Sequence, residues 1–180
     1  MIGCVTEAIE IASWEIEYDD EHDEYVFIPE GWTYLGEGES RIAFLSPSGV
    51  VYKREVNDGE WFGANSIEYR YLRKAAGIPV QGWRVPEHQL YDIPVGYKMV
   101  SVMAMEFVGG EFDAWCDMSQ GKCNCEKPGG ICSRAAALAA AAAWGVTDIH
   151  RGNVRVQWDG TRVIIDAAGD LEEEEYEEVA

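Results

Sequence analysis

Hydrophobic and polar residues alternate along much of the first half of the chain, which is the pattern of half-buried β-strands. The alternation predicts strands over 32–35, 41–45 and 50–55, and further strands over 85–90 and 99–107. Glycine and proline residues separate these runs and predict turns between them. We therefore expect an antiparallel sheet in this part of the chain.

The start of the chain carries a weaker form of the same pattern. Ile9, Ile11 and Trp14 partly alternate with polar residues, and the acidic segment 19–23 offers a turn. We therefore expect residues 1–31 to form a β-hairpin that precedes the main sheet.

Two other stretches show the spacing of three to four residues that is typical of helices. Residues 61–76 form the first stretch, and the alanine-rich residues 133–144 form the second. A short hairpin is expected over 154–165. Strands followed by helices in this order predict an α+β fold.

The composition favours a packed core over disorder, because 47% of the 180 residues are hydrophobic and 12% are aromatic. The longest apolar run, 135–146, is too short to cross a bilayer. No basic region precedes an apolar run at the N-terminus, so no secretory signal is expected. These features predict a soluble cytoplasmic protein that does not contact a membrane.

The net charge of −19 argues against direct binding to nucleic acid, whose backbone would repel the chain. The acidic residues concentrate at 15–24 and in the tail 170–178. Each cluster is consistent with a solvated segment, with a contact for a basic protein partner, or with mimicry of nucleic acid.

Four of the five cysteines fall in one segment, 116–132, which otherwise has the composition of a loop. They are Cys116, Cys123, Cys125 and Cys132. Thiolates suit a structural zinc, although the C-x6-C-x-C-x6-C spacing differs from the usual zinc pairs. Three interpretations stay open: a zinc site, free thiols in a loop, or two disulfides if the protein is exported.

A glycine-rich segment, LGEGES, joins two of the predicted strands. Gly36, Gly38 and Ser40 would let backbone N–H groups approach a phosphate, while an ordinary hairpin turn is the alternative explanation. Lys53 lies on the next strand, and it needs an anionic partner if it is buried. Glu68 of the predicted helix is the candidate partner, and the alternative is a lysine that points to solvent.

The second half of the chain adds polar residues at defined positions. Asp148 and Asn153 flank a short loop after the alanine-rich helix, and Asp166 ends an apolar strand. His150, within the same loop, is either a contact to that loop or a structural histidine.

These segments, in this order, resemble the protein-kinase-like superfamily, including its small bacteriophage members. The segment TDIHRGNV over 147–154 is similar to a kinase catalytic loop, and nearer still to the loop of aminoglycoside-phosphotransferase-type enzymes. The segment MAMEFVGG over 103–110 resembles a kinase hinge. The resemblance covers residues 32–169.

The resemblance implies a role for each polar residue. Lys53, held by Glu68, would bind the phosphates of ATP beneath the glycine-rich segment. Asp148 would act on the attacking hydroxyl, while Asn153 and Asp166 would hold magnesium.

The resemblance also implies an adenine contact and a division into lobes. Met105 would lie behind the adenine, and the backbone of Glu106 and Val108 would pair with its edge.

The implied fold is a minimal two-lobed kinase with an antiparallel N-lobe sheet and a truncated, mainly helical C-lobe. Its parts would be the N-lobe over 32–108, the reduced C-lobe over 109–170 and an acidic tail over 171–180.

Three departures from the family pattern bear on activity. Val146 and Thr147 replace the histidine and arginine of the catalytic loop, and Ala167 replaces the aromatic residue after the metal-binding aspartate. Fourteen residues follow Asp166 in this sequence, and within them we expect neither an activation segment nor helices that dock a peptide.

Three functions therefore stay open. The first is an ATP- and magnesium-dependent phosphotransferase that acts on a hydroxyl of a protein or small molecule. The second is a catalytically weak, pseudokinase-like binding module, such as a phage protein that acts on a host partner. The third is a structural component of a virion or assembly.

Overall fold

The structure is a computed structural model that describes residues 2–14, 18–19, 24–25, 28–38, 40–55, 63–112, 133–147, 149 and 151–167. In chain order its elements are α1 (Val5–Ser13), β1 (Tyr18–Asp19), β2 (Glu24–Tyr25), β3 (Thr33–Glu37), β4 (Arg41–Leu45), β5 (Val50–Glu55), α2 (Ala64–Ala76), β6 (Trp83–Arg84), β7 (His88–Val95), β8 (Lys98–Glu106), β9 (Glu111–Phe112), α3 (Ser133–Trp144), β10 (Val154–Val156) and β11 (Arg162–Ile164). A 3₁₀ turn, Arg151–Asn153, precedes β10. The α+β class predicted from the sequence is confirmed.

Two compact units make up the chain. The first comprises Met1–Tyr69 and Pro86–Phe107, and the second comprises Arg70–Val85 and Val108–Ala180. Within the second unit, β6 pairs in parallel with β11.

The first unit contains a five-stranded antiparallel sheet with the strand order β3-β4-β5-β8-β7. Side chains alternate between its two faces, as in any pleated strand. Tyr52 shares one face with its cross-strand neighbour Ala104, and Lys53 shares the other face with Met103. The predicted antiparallel sheet is therefore confirmed, and the alternation along β5 decides which side of the sheet each residue faces.

Helix α1 packs against the Tyr52 face of the sheet. The buried hydrophobic residues of this core are Ala8, Ile11, Ala12, Trp32, Ile42, Phe44, Tyr52, Ile93, Val100, Val102 and Ala104. Trp14 packs beside it and meets the ring of Trp32 edge-on, with a centroid distance of 4.9 Å. This core leaves the Lys53 face available for polar chemistry.

The predicted β-hairpin over 1–31 is wrong for its first part, because Val5–Ser13 is helical. Ala8, Ile11 and Ala12 supply a buried stripe at helical spacing, whereas Ile9 is 50% exposed. Ile9 and Ile11, two positions apart, suggested the alternation of a strand, but in the helix they lie on different faces. Antiparallel pairing does occur further on, between β1 and β2.

The other predicted elements agree with the structure to within a few residues. Strands β3, β4, β5, β7 and β8, helices α2 and α3, and the β10–β11 hairpin all lie where the pattern placed them. Strands β6 and β9 were missed, since each contributes only two residues to a sheet.

The second unit carries a small sheet with the order β6-β11-β10-β9. Trp144, at the end of α3, is fully buried and donates its indole N–H to the Ile78 carbonyl oxygen at 2.8 Å. Its ring meets Trp83 of β6 edge-on, with a centroid distance of 6.2 Å. This packing ties α3 to β6. Among the described helices, none is long and apolar enough to cross a membrane.

Candidate functional site

The predicted ion pair between Lys53 and Glu68 is present in the first unit. The Lys53 ammonium donates to both carboxylate oxygens of Glu68, at 2.9 Å to Oε1 and 3.0 Å to Oε2. Lys53 is 8% exposed and Glu68 is 1% exposed. The alternative of an edge-strand lysine that points to solvent is therefore excluded.

A second cation shares the same carboxylate. The guanidinium of Arg41, the first residue of β4, contacts Glu68 Oε2. Lys53 Nζ donates to that same oxygen, so the two cations share it. The sequence had identified Glu68 as a partner for one lysine only.

Helix α2 is held against the sheet by a buried polar network around Asn65, a residue to which the sequence had given no role. The Asn65 amide donates to the backbone carbonyl oxygens of Lys53 and Ser101, at 3.0 Å and 2.9 Å. The Glu55 carboxylate accepts the backbone N–H of Asn65 at 2.7 Å and that of Gly63 at 3.3 Å. An anion at a helix N-terminus satisfies donors that have no partner within the helix.

This network explains why Glu68 meets Lys53. Asn65 fixes the first turn of α2 to the strand that carries Lys53, and Glu68 lies about one helical turn further along. Residues three apart on a helix share a face, so Glu68 points the same way as Asn65. No local pattern gave Asn65 this role, because its two acceptors belong to strands that lie 12 and 36 positions away along the chain.

The glycine-rich segment connects β3 to β4, as predicted. Its Gly38 N–H donates to the Arg41 carbonyl oxygen at 2.9 Å, which closes the turn. Gly36 has a φ of +147°, in the region that favours glycine, and the strand register shifts beside it. A Cβ at Gly36 or Gly38 would meet no described atom within 4 Å. Ser40 is half-buried.

The predicted hinge residues lie at and just after the end of β8. Met105 and Val108 are buried, and Glu106 is half-buried. The Glu106 N–H donates to the Glu87 carbonyl oxygen at 2.8 Å, so an adenine edge could not use that donor. The predicted adenine contact of Glu106 would therefore use its carbonyl oxygen and not its N–H.

In the second unit, backbone hydrogen bonds hold Asn153 and Asp166 at neighbouring positions. Asn153 is 8% exposed, and its carbonyl oxygen accepts the Ile165 N–H at 2.8 Å. Val154 directly follows Asn153, and it pairs across the β10–β11 hairpin with Ile164, two residues before Asp166. Amide and carboxylate oxygens are ligands that magnesium accepts, so this donor set fits the predicted ion.

Several predicted site residues lie outside the described residues. They are Asp148, His150, Cys116, Cys123, Cys125 and Cys132. The described part of the chain contains no group of three or more histidine, cysteine, aspartate or glutamate residues that could hold a metal. The zinc interpretation and the role of Asp148 therefore stay predictions. Cys4, the described cysteine, is exposed and free.

Comparisons with known proteins add little to this geometry. No protein-family model matches the chain, and neither does any curated protein. A crystal structure of WbdD is similar at 19% identity and a TM-score of 0.43, over 74% of this chain and 31% of that one.

A co-crystal structure of WbdD with the kinase inhibitor LY294002 is similar at 19% identity and a TM-score of 0.41, over 91% of this chain and 42% of that one. The chain thus spans less than half the length of either WbdD chain. TM-scores this low establish no fold shared with WbdD.

Proposed function

We propose that this chain binds ATP with magnesium and transfers the terminal phosphoryl group to a hydroxyl of a protein or small molecule. The observation that carries the proposal is the buried Lys53–Glu68 ion pair, whose lysine lies on β5, the strand paired with the β4 strand that follows the glycine-rich turn. The order of these elements resembles the protein-kinase-like superfamily.

The burial of Lys53 needs a functional explanation. Desolvation of two charges offsets most of their attraction, so a buried ion pair contributes little net stability compared with apolar residues of the same size. A lysine held at a fixed position beside a glycine-rich turn is, however, well suited to contact phosphate oxygens. Glu68 would keep the ammonium in place until nucleotide binds.

The remaining roles follow the same proposal. Asp148 would accept the hydroxyl proton as the acceptor oxygen forms its bond to the γ-phosphorus and the bond to ADP breaks. Asn153 and Asp166 would hold magnesium, which when bound would offset the charge of the phosphates. Gly36, Gly38 and Ser40 would lie over the phosphates.

The proposal is tested by magnesium-dependent ATP binding and turnover. We expect Lys53→Met to weaken Mg-ATP binding, and Asp166→Asn to abolish it. Asp148→Asn should retain binding and lose transfer to acceptors in a cell lysate. Lys98→Met is the matched control, because Lys98 is exposed on the same sheet and its loss should change neither quantity.

Each outcome has a clear consequence. A wild-type protein whose thermal unfolding is unchanged by Mg-ATP would contradict the proposal, since ligand binding to the folded state raises stability. A wild type that binds Mg-ATP and transfers phosphate to no lysate component would instead favour the pseudokinase-like binding module. The departures at Val146, Thr147 and Ala167 are the sequence features that favour that second function.

A further inference from the structure

We propose that Arg41 is a second phosphate-binding residue, which pairs with Glu68 in the absence of nucleotide and turns to the terminal phosphates when nucleotide binds. This inference rests on the proposed function, because it assigns a new ligand contact within the same site. The sequence patterns gave Arg41 no such role.

The position of Arg41 supports this assignment. It directly follows the glycine-rich segment, and its carbonyl oxygen closes the turn by accepting the Gly38 N–H at 2.9 Å. Its side chain is 15% exposed, so it is largely sheltered from water but still open on one side. Any phosphate that lies beneath this turn and reaches Lys53 therefore lies close to Arg41 as well.

The charge arrangement gives the reason for exchange. One carboxylate oxygen of Glu68 receives both the Arg41 guanidinium and the Lys53 ammonium. Two cations held this close repel each other, and the repulsion is stronger in a sheltered site than in water. A polyphosphate chain carries several charged oxygens and can therefore offer separate oxygens to the two cations, which here both contact one carboxylate.

The chemistry of arginine favours phosphate as the second partner. A guanidinium presents a planar set of N–H donors that fits two phosphate oxygens together. A lysine at the same position would supply a point charge without that geometry. Arg41→Lys should therefore recover part of the affinity that Arg41→Gln loses.

A purely structural role is the competing explanation. In that case Arg41 acts only through Glu68, by tying the glycine-rich turn to helix α2. The two explanations differ in a double-mutant cycle with Glu68→Gln. If Arg41 binds phosphate directly, Arg41→Gln still weakens binding when Glu68 is already replaced. If Arg41 acts only through Glu68, the second substitution has no further effect.

The experiment is a calorimetric titration of Mg-ATP, Mg-ADP and AMP into the wild type, Arg41→Gln, Arg41→Lys, Glu68→Gln and the Arg41→Gln/Glu68→Gln pair. We expect Arg41→Gln to weaken Mg-ATP binding by about tenfold, the usual effect of losing a charge-assisted hydrogen bond. The affinity for Mg-ADP should fall by a smaller factor, and the affinity for AMP should stay unchanged. Arg70→Gln is the control, because Arg70 is exposed on helix α2.

The results separate this inference from the proposed function. A wild type that binds none of the three nucleotides overturns the proposed function and the role of Arg41 with it. If Arg41→Gln binds Mg-ATP as tightly as the wild type, the phosphate-binding role of Arg41 is overturned and the proposed function stands. The same holds if the substitution weakens AMP binding and ATP binding equally. A loss that vanishes in the Glu68→Gln background also overturns this role. Thermal unfolding without ligand checks the fold of each variant, and Arg41→Lys carries the comparison if Arg41→Gln does not fold.

Discussion

Asn65 illustrates how one buried amide can set the position of an ion pair that it does not touch. Its side chain is fully buried and donates to two backbone carbonyl oxygens, one on Lys53 and one on Ser101. The amide therefore contributes both to stability and to the placement of α2 beside β5.

Replacing this amide tests its contribution. We expect Asn65→Ala to lower the free energy of unfolding by about 2–4 kcal/mol, because one buried and one part-buried acceptor both lose their donor. Urea denaturation measures the change. Gln81→Ala, at an exposed position, should stay within about 0.5 kcal/mol of the wild type. Equal stability of the two variants would show that α2 is held by other contacts.

At the scale of residues, the sequence could identify the pair but not the network around it. Lys53 and Glu68 could be predicted as partners because a lysine on an apolar strand needs an anion if it is buried, and the next helix supplies a glutamate. The contact between Arg41 and Glu68 joins residues 27 positions apart. Whether they meet depends on strand register and helix placement, which no local pattern contains.

Tyr52 gives the first unit a defined response to alkaline pH. Its phenol is fully buried, donates to the Glu7 carboxylate at 2.9 Å and accepts the Cys4 N–H at 2.8 Å. Burial raises the pKa of Tyr52 well above the ordinary value of about 10. The folded chain thus keeps a proton that the unfolded chain releases above that pH, so unfolding becomes more favourable there.

The sign of this effect leads to a measurable slope. Stability contributed by Tyr52 is complete below pH of about 10 and is lost as pH rises further, by up to about 1.4 kcal/mol per pH unit. Tyr52→Phe should remove this share of the slope. Burial also raises the pKa of Tyr91, whose contribution the variant keeps. Tyr97→Phe, at a 96% exposed position, should leave the slope unchanged. A Tyr52→Phe slope equal to that of the wild type would contradict this account.

At the scale of elements, helix α1 is the clearest departure from the sequence pattern. Ile9 and Ile11 would share one face of a strand, because side chains two apart point the same way. In the helix they point apart, and Ile11 is fully buried while Ile9 is 50% exposed. The two isoleucines therefore serve as a direct test of helix against hairpin.

The matched substitutions are Ile11→Ala and Ile9→Ala. We expect Ile11→Ala to cost about 3 kcal/mol of unfolding free energy, since it opens a cavity between α1 and the sheet. Ile9→Ala should change stability by no more than about 0.5 kcal/mol. Chemical denaturation of both variants gives the comparison. Similar losses at the two positions would favour the hairpin.

Elements with long, regular patterns were predictable, and elements defined by tertiary pairing were not. Helix α3 begins and ends where its alanine-rich run does. Strand β6, by contrast, consists of Trp83 and Arg84 and exists because β11 lies beside it. Two residues carry no periodicity, so only the partner strand reveals such an element.

At the scale of the whole molecule, charge is the dominant feature. A net charge of −19 on 180 residues implies self-repulsion that opposes compaction. Salt shortens the range of that repulsion, from about 30 Å at 0.01 M to about 8 Å at 0.15 M ionic strength. The buried ion pair between Lys53 and Glu68 is screened far less.

We therefore expect the urea midpoint of unfolding to rise as ionic strength increases over this range. Sodium chloride and potassium chloride should act equally, because screening depends on ionic strength and not on the cation. A rise produced by only one of the salts would point to specific cation binding. A midpoint that falls with salt would mean that exposed ion pairs outweigh the repulsion.

The order of strands in the main sheet also has a consequence for how the protein exchanges hydrogen with deuterated water. Strands β5 and β8 lie at the interior of the sheet, whereas β3 and β7 form its edges. Amide protons of interior strands are released only by the largest opening motions, while those at edges are released by local fraying. The backbone of Lys53 is therefore among the slowest parts of the first unit to exchange. Strand β3, which leads into the glycine-rich turn, is among the fastest.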